Sequence, residues 1–414
     1  MTGDARMIAL AAWRSIWRSR SRSLITITAL AFGLAFSVFM ISFADGMYEK
    51  LIRDAVRQQA GHVVVEHREY GSEPSVDLVV KDAAAIAEEA SRFPDFAESQ
   101  LFVLGQGVVQ SSRESAGVGI VGIDPRMQAE SAAARGLKQG RFLAGDDRDA
   151  VFVSETLAKR LGVAAGKRVV LSSNDVSGEL VQNLFRICGT FATGSDEIDS
   201  AVVYVSLTAA RALFGMGARD ATRVGIMLRD DAQIAAFRTG LAQRLAGHDA
   251  LAVRTWGEVL PDLFRYVRFD RASSLVSCGI LIFIVLFTLF NTILMAILER
   301  EREFALLMAI GASPGRLRTQ VILESVVLAA LGCALGLALG YASSLWFARD
   351  GIDMSALYSS PVSVSGFTID MMVRPRLRLS VAFSMTALAW LAACLMTLVP
   401  ALRIGRIAIT ERLR

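Results

Sequence analysis

Apolar and polar positions alternate along this chain on two very different length scales. Four long runs are almost free of charge: Leu24–Ala44, Ala272–Leu298, Val321–Ala348 (with Glu324 near its start) and Leu379–Leu402. At 1.5 Å per helical residue each is long enough to cross a hydrocarbon core about 30 Å thick. Buried helices of soluble proteins keep a polar stripe, and these runs have none. Between the first and second runs the pattern shortens to that of a folded soluble domain. Asp45–Ala60 keeps a helical period, which predicts a stalk continuing the first span. His62–His67 alternates as a strand, and Asp82–Phe93 reads as a helix. Leu101–Gln110 and Gly117–Ile123 read as strands. Residues 150–205 predict short strands and one helix, Ser154–Leu161. Arg223–Leu228, Asp231–Ala246 and Leu251–Thr255 read as strand, helix, strand, and Trp256–Arg268 as a second stalk.

The predicted fold class is therefore an integral membrane α-helical protein with four transmembrane helices. A large α+β extracytoplasmic domain lies between helices 1 and 2. The segments are a basic amphipathic helix (1–23), the spans 24–44, 272–298, 321–348 and 379–402, a soluble domain (45–271) with a β-rich insert at about 126–210, a charged amphipathic helix and loop (299–320), a loop (349–378) and a tail (403–414).

Composition supports the membrane class: 53% of the residues are hydrophobic and mean hydropathy is +0.44, above the soluble norm. Segments 1–23, 299–320 and 403–414 hold 13 Lys/Arg, against 4 in loop 349–378. That bias predicts cytoplasmic termini and an extracytoplasmic soluble domain. No small-residue cleavage site follows the first run, so it is expected to be retained as a span. Arg14, Arg18 and Arg22 recur beside Trp13 and Trp17, which fits either a basic topology anchor or a packed interfacial helix.

Catalytic chemistry finds little support. Gly117–Gly122 (GVGIVG) has dinucleotide-loop spacing, but Ile123-Asp124-Pro125 follows where a helix is needed. Gly162–Lys167 (GVAAGK) imitates a phosphate loop with its glycines too close and Arg168 in place of Ser or Thr. Cys188, Cys278, Cys333 and Cys394 form no disulfide or metal spacing, and His62, His67 and His248 form no ligand cluster. The chain is expected to bind no metal or cofactor and not to be an enzyme.

Three apolar constellations stand out. Phe36, Phe39, Met40, Phe43 and Met47 share a face of the first span, either as lipid-facing bulk or as an adaptable wall for an acyl-chain substrate. Gly332, Gly336 and Gly340 form a small-residue row, suited to close packing within the subunit or across a dimer. Glu324, the only acid within an apolar run, could be held at the helix end or serve a function.

The third constellation is the run Glu299–Ser313 (EREREFALLMAIGAS), clamped between two spans. Its charges, Glu299, Arg300, Arg302 and Glu303, keep it at a membrane face. Phe304, Leu307 and Ile310, with Met308 beside them, read as an apolar ridge ended by Gly311. Such a ridge suits helix-in-groove docking to a soluble partner.

These features resemble the MacB/FtsX/LolC–LolE superfamily of ABC-transporter permeases. The resemblance rests on the one-plus-three span layout, on Glu299–Gly340, and on the closing PALRIGRIAITERLR. VGIDP (Val121–Pro125), VSETLAKRLGVAAGKRV (Val153–Val169) and SLITITALAFGLAFSVF are similar to the lipoprotein-releasing LolC/LolE branch. Ser15 and Ile409 depart from residues common in the superfamily. The resemblance implies a bacterial inner-membrane subunit working by mechanotransmission. It also implies a second permease subunit, identical or homologous, and a cytoplasmic ABC ATPase dimer that carries ATP and Mg. Glu299–Ser313 would be pushed by the ATPases, and the second span, rigidly continuous with it, would carry the motion outward. The branch implies a lipoprotein substrate and a periplasmic acceptor gripped by a hairpin in the β-rich insert. Asn174–Gln182 occupies a comparable place, either with Asn174, Asp175 and Val176 as acceptor-contact candidates or as a plain solvent-exposed hairpin. MacB-like efflux and FtsX-like control of cell-wall hydrolases remain alternatives.

Overall fold

A computed structural model describes residues 20–129, 131–354, 363–364, 367–368 and 372–403. The basic residues before Arg20, part of loop 349–378 and the tail after Arg403 lie outside the described residues. In chain order the elements are α1 (Arg20–Ala55), β1 (Val63–His67), α2 (Ala83–Ala90), β2 (Phe96–Gln110), β3 (Ser115–Ile123), α3 (Ala132–Arg135), β4 (Leu137–Gly140), β5 (Ala150–Ser154), α4 (Glu155–Leu161), β6 (Arg168–Asn174), β7 (Leu180–Phe191), α5 (Asp196–Ala201), β8 (Val202–Ser206), α6 (Leu207–Phe214), β9 (Arg223–Leu228), α7 (Ile234–Arg244), β10 (Leu251–Thr255), α8 (Trp256–Val259), α9 (Pro261–Glu299), α10 (Glu301–Ala309), α11 (Pro314–Asp350) and α12 (Leu379–Arg403). Two compact units are formed, one from α1 as far as Tyr48 with Phe269–Asp353 and α12, the other from Glu49–Arg268.

In the first unit, α1, α9, α11 and α12 are each long and apolar enough to cross a membrane. A buried seam joins Leu30, Leu34 and Val38 of α1 to Leu289 and Ile293 of α9, Ala329 and Cys333 of α11, and Ala389 and Ala393 of α12. Outside it, Phe283, Ile284, Leu388 and Leu395 are exposed, an apolar exterior that suits lipid rather than water. The glycine row has its partner inside the chain. A methyl on Gly332 would meet Leu30 Cβ at 2.9 Å, on Gly336 the Ala31 carbonyl at 2.8 Å, and on Gly340 the Ala35 carbonyl at 2.9 Å. The backbones of α1 and α11 therefore touch, which only the missing side chains permit.

Helix α1 overruns its apolar run because nothing breaks the period in the stalk. Its extension ends in a π-turn, Val56–Ala60, at Gly61. Gly61 has φ +98°, and a Cβ there would lie 2.4 Å from Ile226 N, so a side chain is excluded both by conformation and by space.

The second unit is built on β2. Its first half pairs with β9 and its second half with β3 and β6. The pairings β2–β3, β3–β8, β8–β5, β5–β7, β7–β6 and β6–β2 close a ring of six strands. Alternate positions point inward, as the two-residue period of a strand dictates. Val118, Ile120, Val151, Val153, Val169, Leu171, Phe185, Ile187, Val203 and Val205 are all buried. The ring corrects the boundary of the β-rich insert, because β2 and β3 belong to it although they precede residue 126. The parallel pair β3–β8 spans most of the insert, and local periodicity carries no trace of such a pairing. Helices α5 and α6 also escape the sequence pattern. The β10–β1–β9 layer, covered by α2 and α7, shares β2 with the ring.

Candidate coupling site

The span α9 stops at Glu299, and Arg300 (φ −100°, ψ 9°) forms a turn before α10. The predicted rigid continuity of the second span with the coupling helix is therefore corrected: a joint separates them. At the other end, Gly311 takes φ +104°. Ala312 N–H donates to the Leu307 carbonyl at 2.9 Å and Gly311 N–H to that of Met308 at 3.0 Å, so the last turn closes on itself. Ser313 Oγ then accepts from Arg316 N–H at 3.4 Å, with Pro314 opening α11. The four residues Gly-Ala-Ser-Pro thus end one helix and cap the next.

Two faces of α10 differ sharply. Phe304 and Ala305 are buried and Met308 is half-buried. Leu306, Leu307 and Ile310 are exposed at 53%, 43% and 76%. This corrects the ridge read from the sequence: Phe304 belongs to the inner face, and Leu306 replaces it on the outer one. The spacing of four residues, Phe304–Met308 within and Leu306–Ile310 without, marks both faces. A three-residue spacing alone merges them. Arg302 is exposed and Glu301 half-buried on the same helix.

The charges at the α9–α10 joint are paired. Glu299 accepts from Arg22 of α1. Arg300 lies 3.3 Å from Glu324 of α11 and 3.4 Å from Glu303, with its guanidinium 5.1 Å from the Phe304 ring centroid. Glu324, which the sequence leaves between a helix-end contact and a function, is thus held by Arg300. A small crevice of about 40 Å³ opens here, lined by Arg22, Ser23, Thr26, Thr292, Arg300 and Glu324 among others.

The remaining sequence-selected residues fall elsewhere. On α1, Phe36 is exposed, while Phe39, Met40, Phe43 and Met47 are half-buried. Phe39 packs 6.4 Å from Phe43 and 5.6 Å from Phe347 of α11. Phe32, not selected, extends this face with 73% exposure. In the β6–β7 hairpin Asn174 is exposed, and Asp175 and Val176 are half-buried. Asp175 Oδ1 accepts from Ser177 and Glu179 N–H, and Val176 N–H donates to Phe214 O at 3.1 Å. The turn is therefore fastened to α6. The Ser177 hydroxyl, with the backbone donors, holds the Asp175 carboxyl below its usual range. Burial pushes the Cys188 thiol up to about 11, which leaves it a poor nucleophile. GVGIVG lies inside β3, and Gly162 caps α4 in the left-handed region. Neither is a phosphate cradle. Among the described residues no group of three His, Cys, Asp or Glu could hold a metal ion.

The layout of one span, a large domain and three spans matches two family models. A MacB-like periplasmic core domain covers residues 23–244, and an FtsX-like permease C-terminal domain covers residues 275–409. The chain belongs to the MacB/FtsX superfamily of ABC-transporter permeases. It is a multi-pass inner-membrane protein with a periplasmic-type α+β domain between its first two spans. Among its relatives is the lipoprotein-releasing system transmembrane protein LolC of Neisseria meningitidis, 23% identical over 74% of this chain and 75% of that protein. The macrolide export ATP-binding/permease protein MacB of Bdellovibrio bacteriovorus is 22% identical over 81% of this chain and 54% of its own. The chain thus spans about half the length of its ATP-binding/permease relatives. The periplasmic region of MacB from Actinobacillus actinomycetemcomitans is similar over 47% of this chain and 87% of its own, at 17% identity and a TM-score of 0.35.

Proposed function

We propose that the chain is a permease subunit that receives its energy from a separate cytoplasmic ABC ATPase dimer docked on α10. One observation carries this reading: Leu306, Leu307 and Ile310 form an exposed apolar patch on a short helix jointed at both ends. A charged juxtamembrane helix needs no such patch, whereas docking into a partner's groove does. ATP and Mg reside on the partner, both termini face the cytoplasm, and a second permease subunit, identical or homologous, completes the transporter. ATP binding would draw the ATPases together and move α10, with no aqueous pore required.

Lipoprotein release from the inner membrane to a periplasmic acceptor is the favoured task. The match to LolC extends over three quarters of both chains, and α1 carries a Phe/Met face suited to an acyl chain. Efflux of periplasmic small molecules or peptides is the second reading, supported by the relatives named for macrolide export. Replacing Leu307 and Ile310 with Asp should abolish co-purification of the ATPase from native membranes while the chain stays membrane-inserted. Undiminished co-purification would remove the docking site. In proteoliposomes of the purified complex, ATP-dependent transfer of a lipoprotein to soluble acceptor supports release. Turnover that leaves lipoprotein in the bilayer but moves a macrolide supports efflux.

A further inference from the structure

Resting on that reading, we infer that Arg300 is the positioning residue of a closed triangle, in which α10 and the first turns of α11 move as one body. The stroke then enters the third span. The first side is α10, nine residues or about 13 Å long. The second is α11 from Pro314 to Glu324, about 16 Å. The chain itself makes one corner at Gly311–Ser313. The 3.3 Å contact of Arg300 with Glu324 makes the third side. Three fixed sides leave no free angle. Phe304, 1% exposed, packs against the inner side beneath the Arg300 guanidinium.

The link to α9 runs through the turn at Arg300, where φ −100° and ψ 9° leave the helix, and through Phe304, which shares a buried cluster with Ile293 and Ile297 of α9. The Arg22–Glu299 pair ties α9 to α1 instead. Arg300 and Glu324 are only 23% and 15% exposed. A push on Leu307 or Ile310 therefore rotates the triangle about the Arg300 turn and displaces α11. From there it passes to α1, because Gly332, Gly336 and Gly340 set the two backbones in contact. Arginine suits the corner because its planar group reaches Glu324 and Glu303 while stacking on an aromatic ring, which a lysine ammonium does not do.

The test uses the full permease–ATPase complex as purified from native membranes. Glu324→Gln and Arg300→Glu should each keep the ATPase bound but cut permease-stimulated ATP hydrolysis about tenfold. The swap R300E/E324R should restore it to within about threefold, the mark of a direct pair. Spin labels at Arg302 and Thr319, both exposed, should keep their separation between nucleotide-free and ATP-trapped states, while labels at Leu298 and Arg302 change theirs. A wild-type rate for E324Q, failure of the swap, or a changed Arg302–Thr319 separation overturns the triangle. Retention of the ATPase by L307D/I310D would instead overturn the docking reading beneath it.

Discussion

Two buried groups in the soluble unit show how individual side chains commit the fold. Glu66, 1% exposed on β1, lies 2.8 Å from Arg223 and 3.6 Å from Arg254, and Arg223 also donates to the Gln59 carbonyl at 2.9 Å. Glu66→Gln leaves Arg223 buried without its counter-charge, and we expect a loss of about 3–5 kcal/mol in denaturant unfolding of the full chain. His62 is buried, its Nδ1 accepts from Leu228 N–H at 2.9 Å, and its Nε2 faces Asp231 at 3.3 Å. A proton on Nδ1 would break the first bond. Burial holds its pKa below the ordinary value, and Asp231 only partly offsets this. The lowered pKa means that the neutral form stabilises the fold fully above about pH 6.5, and that this stability is lost as pH falls towards the lower folded value. Melting temperatures from pH 7.5 to 5 should fall for the wild type and fall less for His62→Asn. In the sequence His62 reads as a surface or packing histidine, and its polar partners lie far along the chain.

At the scale of elements, the contact between α1 and α11 sets the strictest packing demand. Gly336→Ala would place a methyl 2.8 Å from the Ala31 carbonyl, a backbone atom that cannot swing aside. The expected cost is about 1–3 kcal/mol. Cys333, 3% exposed beside it, reports the change: thiol-reactive dye should label it at a lower temperature in the variant than in the wild type. The glycine row itself is plain in the sequence. Which helix it meets is not, since a small-residue face is equally suited to a neighbour in the same chain and to one in another. Helix α10 teaches the same lesson: its existence and its Gly-Ala-Ser-Pro stop follow from local chemistry. The burial of Phe304 depends on the neighbouring spans.

For the whole molecule, four apolar runs and an intervening domain were legible in the sequence because hydrocarbon thickness and helical rise fix the length of a span. Strand alternation and helix stops were legible because they depend on residues a few positions apart. Tertiary structure alone decided the closure of the six-strand ring through β3–β8 and β2–β6, the partner of the glycine row, the outward face of α10 and the pairing of Arg300 with Glu324. These contacts join residues from 24 to more than 300 positions apart. Their energy comes from surfaces brought together only by folding, so no local period records them.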